Sequence, residues 1–167
     1  IGDHAFDGCS NLNNVVIPNS VLYAGHYAFA NCSSLSNVSF EDKVTGTAPY
    51  TIGTHFFDGC TALTRVLLPN TWTLTDEEVA QWSSIKDRTA AIPGYMFART
   101  GIVHAVIPAI VTDLVTPGVF EGCEKLESIT FEAEKMNTHS LGVRFFYGCS
   151  SLKEVSVPTG VYEICEY

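Results

Sequence analysis

Short alternations of apolar and polar residues recur along this chain and are its first structural signal. In Leu12-Asn13-Asn14-Val15-Val16-Ile17 the apolar positions 15 and 17 flank position 16. That period of two predicts a short strand with one face inward. The same alternation returns at Val38/Phe40, Val66/Leu68, Ala105/Ile107, Ile129/Phe131 and Val155/Val157. Pro18, Pro69, Pro108 and Pro158 follow four of these strands and stop them, because proline lacks the ladder donor. Glu41 and Glu132 stand where two others would carry the proline.

The strands belong to a larger period anchored on phenylalanine. Ile1-Gly2-Asp3-His4-Ala5-Phe6 aligns with Ala24-Gly25-His26-Tyr27-Ala28-Phe29 and with Ile52-Gly53-Thr54-His55-Phe56-Phe57. Further copies end at Phe97, Phe120 and Phe146, so the anchors are spaced by 23, 28, 40, 23 and 26 residues. The repeated value of 23 is taken as the unit, with insertions in the longer gaps. Three residues after the anchor come Cys9, Cys32, Cys60, Cys123 and Cys149; six after it come Leu12, Leu35, Leu63, Leu126 and Leu152. The fourth unit is one residue short after Phe97, through Arg99-Thr100-Gly101-Ile102. Two residues after the anchor stand Gly8, Asn31, Gly59, Gly122 and Gly148, the residue types of a tight turn with positive φ. The segment around the phenylalanine should be a short helical or irregular turn. One such unit cannot bury its own apolar face, but stacked units can. The expectation is an α/β repeat solenoid of about six units spanning 1–167, with a parallel sheet along one side and short helices or turns on the other.

The long gap before Phe97 carries 17 residues beyond the unit. Within it, Thr75-Asp76-Glu77-Glu78 reads as a capping box, with Leu74 and Val79 placed as a hydrophobic staple. A short helix over 76–84 is expected, inside an inserted segment near 71–91. Trp72 and Trp82 both fall there, either packing the insertion onto the solenoid or standing out as aromatic anchors for a partner. Smaller insertions lie at Glu41–Thr51 and Glu132–Ser140.

Composition narrows the function classes. The net charge is −9, from 18 acidic and 9 basic residues, so nucleic acid is disfavoured as a partner. No apolar stretch approaches a membrane span. Five of six cysteines share one repeat column and no Cys-x-x-Cys occurs, which favours a ladder of buried thiols, with disulfides between neighbouring repeats as the alternative. His4, His26, His55, His104 and His139 are scattered among the repeats and read as surface or turn residues. The carboxylates are dispersed and expected to be mostly exposed. No nucleophile elbow, phosphate loop or dinucleotide fingerprint is present, so no enzyme activity, cofactor or metal is expected. Asn31-Cys32-Ser33 and Asn37-Val38-Ser39 are sequons, although turn geometry explains Asn31 more simply.

The run Ile-Gly-x-x-Ala-Phe-x-x-Cys-x-x-Leu-x-x-Val-x-Ile-Pro, from Ile1 to Pro18, resembles the BspA-type (Treponema-type) leucine-rich repeat. The resemblance covers nearly the whole chain and departs from the pattern at Arg99/Thr100, where the cysteine is missing. It implies the leucine-rich-repeat fold, a curved right-handed superhelix. It also implies a non-enzymatic protein-binding or adhesion module of a cell-surface or secreted protein, with host extracellular-matrix or cell-surface proteins as the partner class. A structural spacer and a carbohydrate-binding module attached to another domain are the alternatives. Ile164-Cys165-Glu166-Tyr167 matches the opening of a unit and neither end shows a polar cap, so a fragment of a longer array is expected.

If a partner binds the sheet, two outward stripes should meet it. One contains Asn14, Asn37, Arg65, His104, Ser128 and Glu154; the other Val16, Ser39, Leu67, Val106, Thr130 and Ser156. Val16, Leu67 and Val106 are apolar where water is expected, which marks either an interaction face or a plain solvated sheet.

Overall fold

The alternating segments form parallel strands in the register that the columns dictate. In the computed structural model, which describes residues 1–42, 50–66, 68, 91–109, 111, 113–135 and 140–164 and the backbone of 72–74, β1 (Asn14–Ile17) pairs with β3 (Asn37–Phe40). β6 (His104–Ile107) pairs with β7 (Ser128–Phe131), and β7 with β9 (Glu154–Val155). Ile17, Val38, Ile107 and Ile129 point inward and are buried. Val157, expected inward, is 40% exposed, because no coil among the described residues covers the sixth unit.

A second line of strands was not legible as such in the sequence. β2 (Tyr23–Ala24), β4 (Tyr50–Ile52) and β5 (Trp72–Leu74) form one parallel sheet, and β8 (Ser140–Leu141) pairs with β10 (Glu163–Ile164). An Ala91–Asp113 bridge continues this side between them. The expectation of one sheet on one side is therefore corrected to strands on two sides. Elements of two or three residues are too short to show a period, and only their buried members, Ala24, Tyr50, Ile52 and Leu141, with Ala91 at the bridge, leave an apolar mark.

The third side carries the phenylalanines, and among the described residues it holds turns rather than helices. Its amides alternate in direction. Those of His4, Phe6 and Gly8 donate to the next coil, to His26, Ala28 and Ala30, at 2.8–2.9 Å. Those of Ala5, Asp7 and Cys9 donate within their own coil, to Gly2, His4 and Phe6. A helix would spend all these donors internally, so the cross-coil ladder excludes it. The alternation is made by left-handed residues both two before and two after each phenylalanine. The first set is His4, Tyr27, His55, Tyr95, Gly118 and Arg144, and the second is Gly8, Asn31, Gly59, Arg99, Gly122 and Gly148. The sequence showed only the second set, and that without Arg99, because glycine is scarce in the first.

Inside, the phenylalanine rings form a spine from Phe6 through Phe29, Phe57, Phe97 and Phe120 to Phe146. Successive centroids are 4.9–6.2 Å apart and the ring planes are within 27° of parallel. Such ring pairs contribute about 0.5–1.5 kcal/mol each beyond burial. Coils approach closely at Gly53 and Gly142: a Cβ on Gly53 would lie 2.5 Å from the His26 amide nitrogen, and one on Gly142 2.0 Å from the Thr116 carbonyl oxygen.

The fourth coil shows how two irregularities cancel. It is one residue short between Thr100 and Ile102, as the columns predict. The Gly142 amide donates to the Leu114 carbonyl, as the Gly53 amide donates to Ala24, so Leu114 aligns with Leu141. The stretch from Leu114 to Phe120 is then one residue longer than that from Leu141 to Phe146. The surplus sits at Val115–Thr116, where Thr116 is buried and donates to the Ile92 carbonyl at 2.6 Å. A deletion and an insertion together restore the spacing of 23.

Candidate functional site

The strand face brings most of the predicted stripe residues together in register. Asn14 lies beside Asn37 and Val16 beside Ser39; His104, Ser128 and Glu154 align, as do Val106 and Thr130. His104 Nδ1 and Ser128 Oγ share a hydrogen bond of 2.9 Å. Val16 and Val106 are 54% and 57% exposed, so two apolar side chains do stand in solvent here. Ser156 is exposed just past the end of β9. Arg65 is exposed and lines a shallow hollow of about 360 Å³ with Ser36, Asn37, Val38 and Ser39. It has no ion-pair partner among the described residues. Trp72 opens β5. Leu67, Trp82, and the capping box and helix expected over 75–84 lie outside the described residues.

The turn edge holds a second arrangement that the residue-by-residue reading missed. His4, Tyr27, His55 and Tyr95 stack face to face, with centroids 4.8, 4.3 and 4.4 Å apart. The stack stops at Gly118, where a Cβ would lie 2.2 Å from Tyr95 Cε1. Reading the position two before each phenylalanine as a column, His, Tyr, His, Tyr, would have exposed it. Carboxylates three residues on complete the edge. Asp7 meets His4 Nδ1 at 2.8 Å and accepts from Asn31 Nδ2 at 2.9 Å. These two hydrogen bonds hold its carboxyl below the usual carboxylate range. Asp58 meets His55 Nδ1 at 2.7 Å and Arg99 at 2.9 Å. Asp58 is 2% exposed, and its Oδ1 has no partner among the described residues. Most described carboxylates are exposed, as expected, and Asp58 and Asp113 are the buried exceptions. A buried carboxylate persists only with such pairing. Arg144 grips Glu121 with two donors at 2.9 and 2.6 Å and lies over the Tyr147 ring.

The five cysteines among the described residues are free, and Cys32, Cys60 and Cys123 are buried. The thiols of Cys32, Cys60, Cys123 and Cys149 donate to the phenylalanine carbonyl one coil earlier, at 2.9–3.1 Å. Burial pushes the Cys60 and Cys149 thiols up to about 12, and those of Cys32 and Cys123 also upward. Thr100 fills the vacant cysteine place; it is buried and donates to its own Phe97 carbonyl at 2.9 Å. Among the described residues, no three His, Cys, Asp or Glu side chains gather as a metal set, and no helix is long and apolar enough to cross a membrane.

Stacked parallel coils with a phenylalanine spine and a cysteine–leucine ladder define a leucine-rich-repeat β-solenoid. The sequence matches the BspA-type leucine-rich repeat region, in six copies, over residues 1–89 and 71–167. The chain belongs to that family. It is similar to a leucine-rich repeat protein from Bacteroides ovatus, with 26% identity and a TM-score of 0.64 over 98% of this chain and 42% of that one. It is also similar in fold to the leucine-rich repeat protein of T. pallidum, with 22% identity and a TM-score of 0.57 over 92% of this chain and 71% of that one. A leucine-rich cell surface protein from Faecalibacterium prausnitzii matches with 23% identity and a TM-score of 0.43, over 99% of this chain and 52% of that one. No curated protein matches the sequence. The chain thus spans less than half of the Bacteroides ovatus protein.

Proposed function

We propose that this array is a non-enzymatic module that takes a protein partner on its strand face, within a cell-surface or secreted adhesive protein. One observation carries the reading. The outward side chains of adjacent coils stand in register and exposed, two valines among them, with Arg65, which has no ion-pair partner among the described residues, lining a hollow on the same face. Exposed valines set among polar side chains, with a cation on the same face, suit a contact surface. Membership of the BspA-type family supports a repeat binding module, and host matrix or cell-surface proteins are the partner class we expect.

The test is capture of the chain on immobilised extracellular-matrix proteins, comparing wild type with Arg65→Ala and Val106→Asp. Both residues are exposed, so folding should be unchanged. We expect capture to fall about tenfold for each, in line with the loss of one good contact. Full capture by both variants would reject the strand face. Absence of capture by any matrix protein would favour the spacer role.

A further inference from the structure

The shortened fourth coil leaves a notch on the turn edge, away from the strand face. Thr61, Arg99, Thr100, Gly101, Gly122, Glu124 and Lys125 surround about 250 Å³ there. In the first, third, fifth and sixth coils the turn after the phenylalanine closes with two amide bonds. Ser10 donates to Gly8 and Leu12 to Cys9; Thr61 to Gly59 and Leu63 to Cys60; the coils of Phe120 and Phe146 repeat the pattern. The fourth coil, lacking one residue, makes neither bond. Gly101 is drawn inward instead, so close to the third coil that a Cβ would lie 2.3 Å from the Thr61 carbonyl oxygen. Gly101 is buried, and its amide has no acceptor among the described residues. An amide in the lining of the notch with no partner among the described residues is a donor that an entering acceptor can take.

The charges around the notch suit an anionic acceptor. Lys125 has no ion-pair partner among the described residues, and the Arg99 side chain is 62% exposed while one of its nitrogens holds Asp58. Asp58 is already paired with His55 and Arg99. Glu124 is the opposing charge on the rim.

We propose that the notch accepts a carboxylate side chain from an acidic segment of a partner protein. The Gly101 amide and the Lys125 ammonium would be its donors, with the exposed end of Arg99 alongside. This contact goes beyond the strand face and does not depend on it.

The experiment is amide-resolved NMR titration of the 15N-labelled chain. The probes are a short aspartate-rich peptide, its asparagine counterpart, and acetate or sulfate alone. The Gly101 and Gly122 amides should shift with the acidic peptide and stay still with the neutral one. Lys125→Glu should weaken the peptide about tenfold, and Glu124→Gln should strengthen it several-fold. A serine inserted after Thr100 would restore the missing turn residue and should abolish the shifts. Arg65→Ala, on the other face, should leave them intact. The idea is overturned if Gly101 does not move, or moves equally in Lys125→Glu. If acetate or sulfate matches the peptide at equal concentration, the notch is a site for free anions and the protein segment is rejected.

Discussion

Phe6 and Phe29 are as far apart in sequence as Phe97 and Phe120, yet the two stretches are built differently. In the first, every column keeps its place: the turn amides close and Cys9 holds the cysteine position. In the second, a residue is lost after Thr100 and regained at Thr116, and two buried hydroxyls replace what regularity supplied elsewhere. The ring spine passes both without interruption, at 4.9 and 5.5 Å. What the solenoid conserves is thus the vertical alignment of its core atoms, while the path of the chain between them can lengthen or shorten wherever a side chain satisfies the displaced backbone.

Crowding the bulge should have the largest effect. A Cβ on Gly142 would meet the Thr116 carbonyl oxygen at 2.0 Å, whereas one on Gly2 meets nothing within 4 Å. Gly142→Ala should cost about 3 kcal/mol in guanidinium unfolding, at the upper end for overpacking, and Gly2→Ala within about 0.5 kcal/mol. Equal effects would show that the bulge is soft.

Next come the hydroxyls. Thr116→Val leaves the Ile92 carbonyl without its donor, at a cost of about 1–3 kcal/mol. Thr100→Val should cost less, about 0.5–1.5 kcal/mol, because the Cys123 thiol still donates to the Phe97 carbonyl at 2.9 Å. A reversed order in thermal melts would mean that the deletion is the more demanding of the two changes.

Alkylation at pH 8 sharpens the contrast without altering stability. Cys9 is exposed and should label promptly; Cys60, held near pKa 12 by burial, and Cys123 should label only through unfolding. Prompt labelling of Cys123 alone would reveal local opening at the shortened coil.

The smallest effect belongs to the edge of the regular stretch. Asp7 has a lowered folded pKa, so its contribution is present above the unfolded value, about 3.9, and disappears as pH falls through the lower folded value. Asp7→Asn should therefore lower stability at neutral pH by no more than about 1 kcal/mol, and by nothing at pH 2. A difference that persists at pH 2 would point to packing rather than charge.

Much of the fold could be read directly because a stacked repeat writes the same requirement several times. The phenylalanine, cysteine, leucine and valine columns each name a place in the core, and the outward stripes follow by alternation. The column two before the phenylalanine escaped notice because left-handed histidine, tyrosine and arginine do not advertise their backbone as glycine does. The buried Asp58 escaped for a related reason: its partner Arg99 belongs to the next coil, 41 residues away. The notch was half visible, since the missing residue is plain in the alignment, but the unspent amide and the facing Lys125 are not.

The repeat, its family, the strands of one face and the residues turned outward there can all be read from the order of residues alone. Those features depend on local periodicity and on columns that recur, and both are one-dimensional. Coil-to-coil packing is what puts strands on two sides, ladders the turns between coils, and sets the insertion at Thr116 against the deletion after Thr100. Each of these depends on which backbone group faces which across a coil boundary, and that is settled by hydrogen bonds between residues more than twenty positions apart.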